Sequence, residues 1–237
     1  MGSNTEAEPG VHVLGERDGI VVAYKPADWA TEPTAESSRS LVGALAAHFA
    51  VARVHAASRL DVGVSGAVLC SVGRGAHKQL EALRAQGAIR HCYLAVAAGA
   101  LSGQGSWNWP LGRSRDRAGR AIARPDGPAA RSASTHYEVL GQTREASLLR
   151  LRLETGRMHQ IRAHAARAQA ALLGDGRYGG PRTVCTSTGE VRAIERIALH
   201  CRRIELSGFL QAEAPIPELL RELWRLLDGQ DDAWEHA

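Results

Sequence analysis

A chain of 237 residues has room for one large domain or two small ones, and a 44% hydrophobic share supplies a core, which excludes a mainly disordered protein. No apolar run approaches the roughly 20 residues of a membrane-spanning helix, and residues 1–10 lack the basic head and apolar stretch of a signal peptide, so a cytoplasmic protein is expected. The formal charge is +4, and of the 29 basic residues only Lys25 and Lys78 are lysines; the rest are arginines, whose planar fork matches phosphate oxygens.

In chain order, residues 1–10 read as a flexible leader. Short strands are expected at 11–14 and 20–24 around a turn at Asp18-Gly19, and Pro26, which cannot donate to a ladder, ends the second. Residues 27–38 read as loop, and 41–51 carry apolar residues at helical spacing. A strand at 67–72, a helix at 75–86 and a strand at 91–97 follow. Between 113 and 131 six arginines stand against Asp116 and Asp126. Gly119, Pro125, Gly127 and Pro128 make that stretch a loop or irregular hairpin, and its charge favours an anionic partner. Residues 134–140 and 147–153 predict an antiparallel pair, with Leu149, Leu151 and Leu153 on one side. Thr155-Gly156 leads into a helix over 158–168, whose buried stripe is Ile161, Ala165 and Ala168. Strands at 193–201 and 203–206, a terminal helix at 217–227 and a frayed tail at 228–237 complete the reading. Many strands joined by short turns, interrupted by few helices, predict one α+β domain over 11–227 with a mixed, largely antiparallel sheet flanked by helices.

Four cysteines, Cys70, Cys92, Cys185 and Cys201, form no CxxC pair and read as reduced, buried thiols with no zinc site. Gly174-Asp175-Gly176-Arg177-Tyr178-Gly179 matches G-x-G-x-x-G, but Gly180-Pro181 follows where a helix is required, so no nucleotide cofactor is expected. His159 and His164 are five apart without an HExxH pattern, which argues against a metal. Trp107 and Trp109 read as packing residues rather than base-stacking ones.

Two segments carry chemistry. Ser58-Arg59-Leu60-Asp61-Val62-Gly63-Val64-Ser65-Gly66 puts a carboxylate in a glycine-rich loop before a strand, an arrangement that an isolated turn residue also explains. Glu154-Thr155-Gly156-Arg157-Met158-His159-Gln160-Ile161-Arg162-Ala163-His164 gathers Arg157, His159, Gln160, Arg162 and His164 at one helix start, where the dipole already favours anions.

The first segment resembles the catalytic loop H-R-L-D-x-x-T-S-G of RluA-type pseudouridine synthases, and the second their T-G-R-x-H-Q-I-R-x-H. Lys25-Pro26, Tyr93-Leu94-Ala95-Val96, Gly174-Asp175 with Tyr178-Gly179, and Ile197-Ala198-Leu199-His200 are similar to four further motifs of that family, all in family order. The resemblance implies a cleft across a long sheet, no cofactor, and isomerisation of uridine in ribosomal or transfer RNA. It implies Asp61 as nucleophile, at C1′ of the sugar or C6 of the base, and Tyr93 stacked under the uracil. Arg157 would pair with Asp61, and Arg59 would fill the gap left by the flipped nucleotide. His159, Gln160, Arg162, Arg113, Arg115 and Arg117 are the expected RNA contacts. No counterpart of the family's small N-terminal RNA-binding domain is expected before Val11, and a monomer is the expected state.

Three positions depart from the pattern: Ser58 for the usual His, Val64 for the usual Thr, and Asp28 for the usual Gly after Lys25-Pro26. They motivate the alternative of a non-catalytic RNA-binding or ribosome-assembly protein on the same fold. His55, three residues before Ser58, is the nearest substitute for the missing imidazole.

Overall fold

The computed structural model describes residues 11–34, 39–186 and 189–237. The leader expected at 1–10 and part of the 27–38 loop lie outside them.

A sheet of ten strands organises the molecule. Strand β1 (Val13–Arg17) turns at Asp18-Gly19 into β2 (Ile20–Lys25), both turn residues having positive φ, which fits the twist of a two-residue hairpin. The chain then forms α1 (Leu41–His48), capped by the Ser40 hydroxyl on Gly43 N–H, and a short β3 (Val54–Ala56). Next come β4 (Ser65–Val72), α2 (Arg74–Ala85) and β5 (Ile89–Ala98). Strand β6 (Gln104–Trp107) precedes a separate two-stranded hairpin, β7 (Leu111–Arg115) with β8 (Ala121–Pro125). The arginine-rich stretch is therefore an ordered hairpin for its first half.

The expected pair follows as β9 (Thr135–Gln142) and β10 (Ala146–Leu153), then α3 (Gln160–Arg167), a small hairpin β11 (Thr183–Cys185) with β12 (Val191–Ala193), β13 (Leu199–Leu206), β14 (Leu210–Glu213) and α4 (Glu218–Leu226). The order across the sheet is β1-β2-β4-β13-β5-β10-β9-β6, with β3 also on β4 and β14 also on β13; β4 and β13 run parallel, and the other strand pairs among the described residues are antiparallel. The predicted α+β class with a largely antiparallel sheet holds.

Among the described residues the apolar side chains form three clusters, and the two larger ones meet across β5. Along β5, Tyr93, Ala95 and Ala97 join the first, which includes Leu41 and Leu45 of α1, Leu80 of α2 and Ile161 of α3. Leu94 and Val96 join the second, with Leu220, Leu223 and Trp224 of α4. That alternation is the period-2 rule at work.

Three expectations need correction. One continuous β13 replaces the two strands expected at 193–201 and 203–206; Ala193 instead ends β12. The tail expected to fray packs: Ala233 and Trp234 are buried in the second core, and Arg225 bonds Asp231. An aromatic side chain that large offsets the ordering cost of a short terminal turn. Cys185 is exposed, while Cys70, Cys92 and Cys201 are the buried thiols. Trp107 is buried and stacks on Tyr137 at 4.9 Å, the packing role expected of it. No helix among the described residues is long and apolar enough to cross a membrane.

Candidate active site

The loop carrying Asp61 joins β3 to β4 and is tied down on both sides of that residue. The Thr31 hydroxyl accepts from Leu60 N–H and donates to Leu60 C=O, each at 3.0 Å. After Asp61, the Val62 carbonyl accepts from Asp28 N–H at 2.8 Å and from the Lys25 ammonium at 3.3 Å. Lys25 is fully buried and also donates to the carbonyls of Pro26 (2.8 Å) and Trp29 (2.6 Å). Burial pulls its pKa down to about 8, with Asp28 and Asp61 acting the other way. Val64 N–H closes a turn onto Asp61 C=O at 3.0 Å. The carboxylate, 31% exposed, stands out of this braced loop.

Facing it is the start of α3. Gln160 is buried and uses all its capacity: its carbonyl accepts from the Thr155 hydroxyl and Arg157 N–H, and its amide donates to Ser134 C=O and the Thr135 hydroxyl. This fixes the segment before the helix. One turn in, the Arg162 guanidinium splits three ways. Nη1 donates to Asp61 Oδ2 at 2.6 Å; Nε and Nη2 donate to the two oxygens of Asp175 at 2.7 and 2.8 Å. Burial disfavours its charge, yet the bonds to Asp175 and Asp61 outweigh that and raise its pKa further. Asp175 is enclosed, and among the described residues its carboxylate pairs with this fork.

Tyr178 lies under the fork, with the Arg162 guanidinium 4.8 Å from its ring centre. Its phenol oxygen accepts from Ala123 N–H of β8 at 2.8 Å and lies 2.9 Å from His159 Nδ1. Burial pushes its pKa up to about 12. Tyr93 of β5 is buried between Leu151 and Cys201 in the sheet register, and burial holds its phenol far above the usual range. Tyr93, Leu60, Val64, Leu153, Ile161 and Leu199 form an apolar floor from which Asp61 rises, with Arg59, Arg157 and His159 at the rim. A flat uncharged ring fits such a floor, and a carboxylate with one oxygen restrained and the other open to the cleft is placed to act as a nucleophile.

Comparison with known proteins gives this geometry a family. The sequence pattern described as RNA pseudouridylate synthase matches residues 19–167. This chain belongs to that family. It is 38% identical over 234 residues to the "Ribosomal large subunit pseudouridine synthase D" of Xanthomonas campestris pv. campestris, covering 92% of this chain and 69% of the relative. It is 31% identical to the "Uncharacterized RNA pseudouridine synthase YhcT" of Bacillus subtilis, covering 90% and 71%. Among solved structures, "Human RNA Pseudouridylate Synthase Domain Containing 1" shares the fold with a TM-score of 0.70 at 20% identity, over 94% of this chain and 98% of that one. The resemblance to RluA-type pseudouridine synthases is thereby borne out, and the protein is an isomerase acting on RNA.

Within this pseudouridine synthase the fold brings Asp61 and Tyr93 into one cleft, and it gives three other residues contacts that differ from those expected. Arg162, not Arg157, holds Asp61; Arg157 lies outside the helix and its Nε donates to Ser132 C=O at 3.1 Å. Gln160 and Arg162, expected to touch RNA, are buried and bonded within the protein, Gln160 through its whole amide and Arg162 through each of its three nitrogens. His159 points at Asp61, with Nε2 3.7 Å from Oδ1. Arg59 is 72% exposed and ion-paired with Glu32 at 3.4 Å. Arg113, Arg115 and Arg117 are exposed on the β7–β8 hairpin.

The departures from the family pattern are accommodated. The Ser58 hydroxyl accepts from Leu69 N–H at 3.1 Å, pinning the loop to β4. Val64 is buried in the core. Asp28 has φ of 74°, the left-handed conformation that a glycine adopts freely and that Asp tolerates better than most. His55 stacks on His77 instead of replacing a loop contact. Asp175 and Tyr178 are residues of the cleft wall to which sequence reasoning gave no role. The Gly-Asp-x-x-Tyr-Gly motif marked them, but nothing local says that Asp175 joins Asp61 through Arg162, or that Tyr178 meets His159.

Proposed function

We propose that this enzyme converts uridine to pseudouridine in ribosomal RNA in the cytoplasm, with Asp61 as nucleophile. The observation that carries the reading is the Asp61 carboxylate, one oxygen bonded to Arg162 at 2.6 Å and the other open above an apolar floor that includes Tyr93. The names of the curated relatives supply the ribosomal substrate. Tyr93 stacks against the target base, and burial keeps its phenol protonated, so it lies beneath the ring as an uncharged platform. Arg59, exposed beside Asp61, takes the place of the flipped nucleotide in the RNA stack. Rim arginines and the β7–β8 hairpin hold phosphates. The non-catalytic alternative loses its motive, because Ser58 and Val64 each have a local role that leaves Asp61 untouched.

The test is pseudouridine mapping of total RNA from cells lacking the gene, complemented with wild type or Asp61→Ala. Ribosomal sites that vanish and return only with the wild type support the proposal. Sites confined to transfer RNA would move the substrate, and no lost site would refute the activity.

A further inference from the structure

We propose that His159 is a catalytic residue of this reaction: its neutral imidazole, carrying its proton on Nε2, donates a hydrogen bond to the uracil carbonyl oxygen on which negative charge develops. The inference rests on the reading of Asp61 as nucleophile and adds the group that meets the leaving or enolised base.

Three observations converge. His159 stands at the N-cap of α3 with φ of 50° and ψ of 25°, yet its side chain makes no capping bond. A non-glycine residue in left-handed backbone needs a reason, and such residues gather at active sites. Here the twist turns the ring away from the helix and into the cleft, where Nε2 lies 3.7 Å from Asp61 Oδ1. That is the oxygen which Arg162, bonded to Oδ2, leaves open.

The second observation is what the tautomer is assigned from. The Tyr178 oxygen accepts from Ala123 N–H, which leaves its own proton to donate to the nitrogen 2.9 Å away, and we assign His159 Nδ1 as that acceptor. With Nδ1 accepting, the ring proton sits on Nε2 and points at the cleft.

Third, the surroundings keep the ring neutral. Burial disfavours the imidazolium; Arg162 of α3 and Arg177 of the 176–178 turn act in the same direction, while Asp61 and Asp175 oppose them without prevailing. A neutral N–H donor is what this chemistry needs by either route. Attack of Oδ1 on C1′ forms an O–C1′ bond and breaks C1′–N1, whose electron pair leaves with the uracil and spreads over its carbonyl oxygens. Addition of Oδ1 to C6 forms an O–C6 bond and moves the C5–C6 pair into the C4 carbonyl as an enolate. In both, charge arrives on a carbonyl oxygen within reach of a donor beside Oδ1, and His159 keeps its proton throughout.

The experiment compares His159→Asn with His159→Gln under single-turnover conditions, enzyme in excess over ribosomal RNA purified from cells lacking the gene. Asn accepts left-handed backbone but its amide falls short of the Nε2 position; the Gln amide reaches it and is never charged. We expect the saturated rate to fall about 100-fold in His159→Asn, the usual loss on removing one such donor. Its half-saturating enzyme concentration should stay within about threefold of wild type, and His159→Gln should recover most of the rate. Thermal melting of both variants should match wild type. An Asn variant as fast as wild type, a Gln variant as slow as Asn, or a loss carried by half-saturation alone would overturn the role of His159 and leave Asp61 untouched. Wild-type protein that converts no uridine, judged against Asp61→Ala, overturns the reading of Asp61 and this inference with it.

Discussion

Arg162 reaches Asp61 with one guanidinium nitrogen, at 2.6 Å, while Asp175 holds the other two corners of the fork. The fork is immobilised from behind, so the carboxylate is aimed and not merely attracted. Arg162→Lys keeps a charge but offers a single point that cannot serve both carboxylates. The saturated rate of pseudouridine formation should fall at least about tenfold with RNA affinity little changed. Arg157→Ala, which removes only a bond to Ser132 C=O, should lower the rate less and RNA affinity more. Single-turnover titrations of both variants decide the matter, and a larger rate loss in Arg157→Ala would mean that Arg157 moves onto Asp61 when RNA binds.

The difference between Arg157, expected beside Asp61, and Arg162, which the fold puts there, marks where sequence reading reached its limit. The motifs placed Asp61, Tyr93 and both arginines in one cleft, because their order and residue types are local information. Which arginine points inward depends on where the helix begins. Periodicity put that start at 158, whereas the left-handed turn at His159 delays it to Gln160 and swings Arg157 out of the first turn. The partner that makes Arg162 decisive, Asp175, lies 13 residues on and is reached only through tertiary folding. The tail was misread for a related reason: its polar composition hid one tryptophan with a core to enter.

The β7–β8 hairpin should contribute electrostatic grip. Replacing Arg113, Arg115 and Arg117 together with Gln should weaken binding to ribosomal RNA and flatten the dependence of log K on log salt by roughly 0.7–0.9 for each phosphate that the arginines neutralise. Filter binding between low and moderate salt measures the slope. An unchanged slope would mean that the hairpin does not touch phosphates.

Acid should destabilise this fold through histidines that are neutral when folded. Burial lowers His200 to about 3 and His91 to about 4, against about 6.5 in an unfolded chain. Between those limits the unfolded state binds more protons, so stability is present above pH 6.5 and is lost as pH falls towards 4. Each histidine contributes on the order of 1.4 kcal/mol per pH unit in that window. His91 Nε2 is buried without a partner, so His91→Phe removes a group with no bond to lose. Urea midpoints measured from pH 7.5 to 5 should decline for wild type and decline less for His91→Phe; parallel curves would remove His91 from the account.

Gly66 should be the least replaceable glycine of the catalytic loop region. It pairs with Cys201 where β4 and β13 run parallel, and its φ is 126°. A Cβ there would lie 2.3 Å from Cys201 O and 2.5 Å from Cys201 N, both backbone atoms that cannot step aside without parting the strands. Next to it the Ser65 hydroxyl receives Arg196 at 2.8 Å and meets His200 at 2.9 Å, so parting would also expose a buried polar cluster. Gly63 offers the control: its Cβ would meet Ile197 Cδ1 at 3.4 Å, an ordinary contact with a movable side chain. Gly66→Ala should therefore cost more than about 2 kcal/mol or prevent folding, while Gly63→Ala stays within about 1 kcal/mol of wild type. Urea unfolding of the two variants tests this directly. Equal stabilities would mean that the parallel junction yields, and that the loop holding Asp61 is braced by Thr31, Lys25, Asp28 and Ser58 without it.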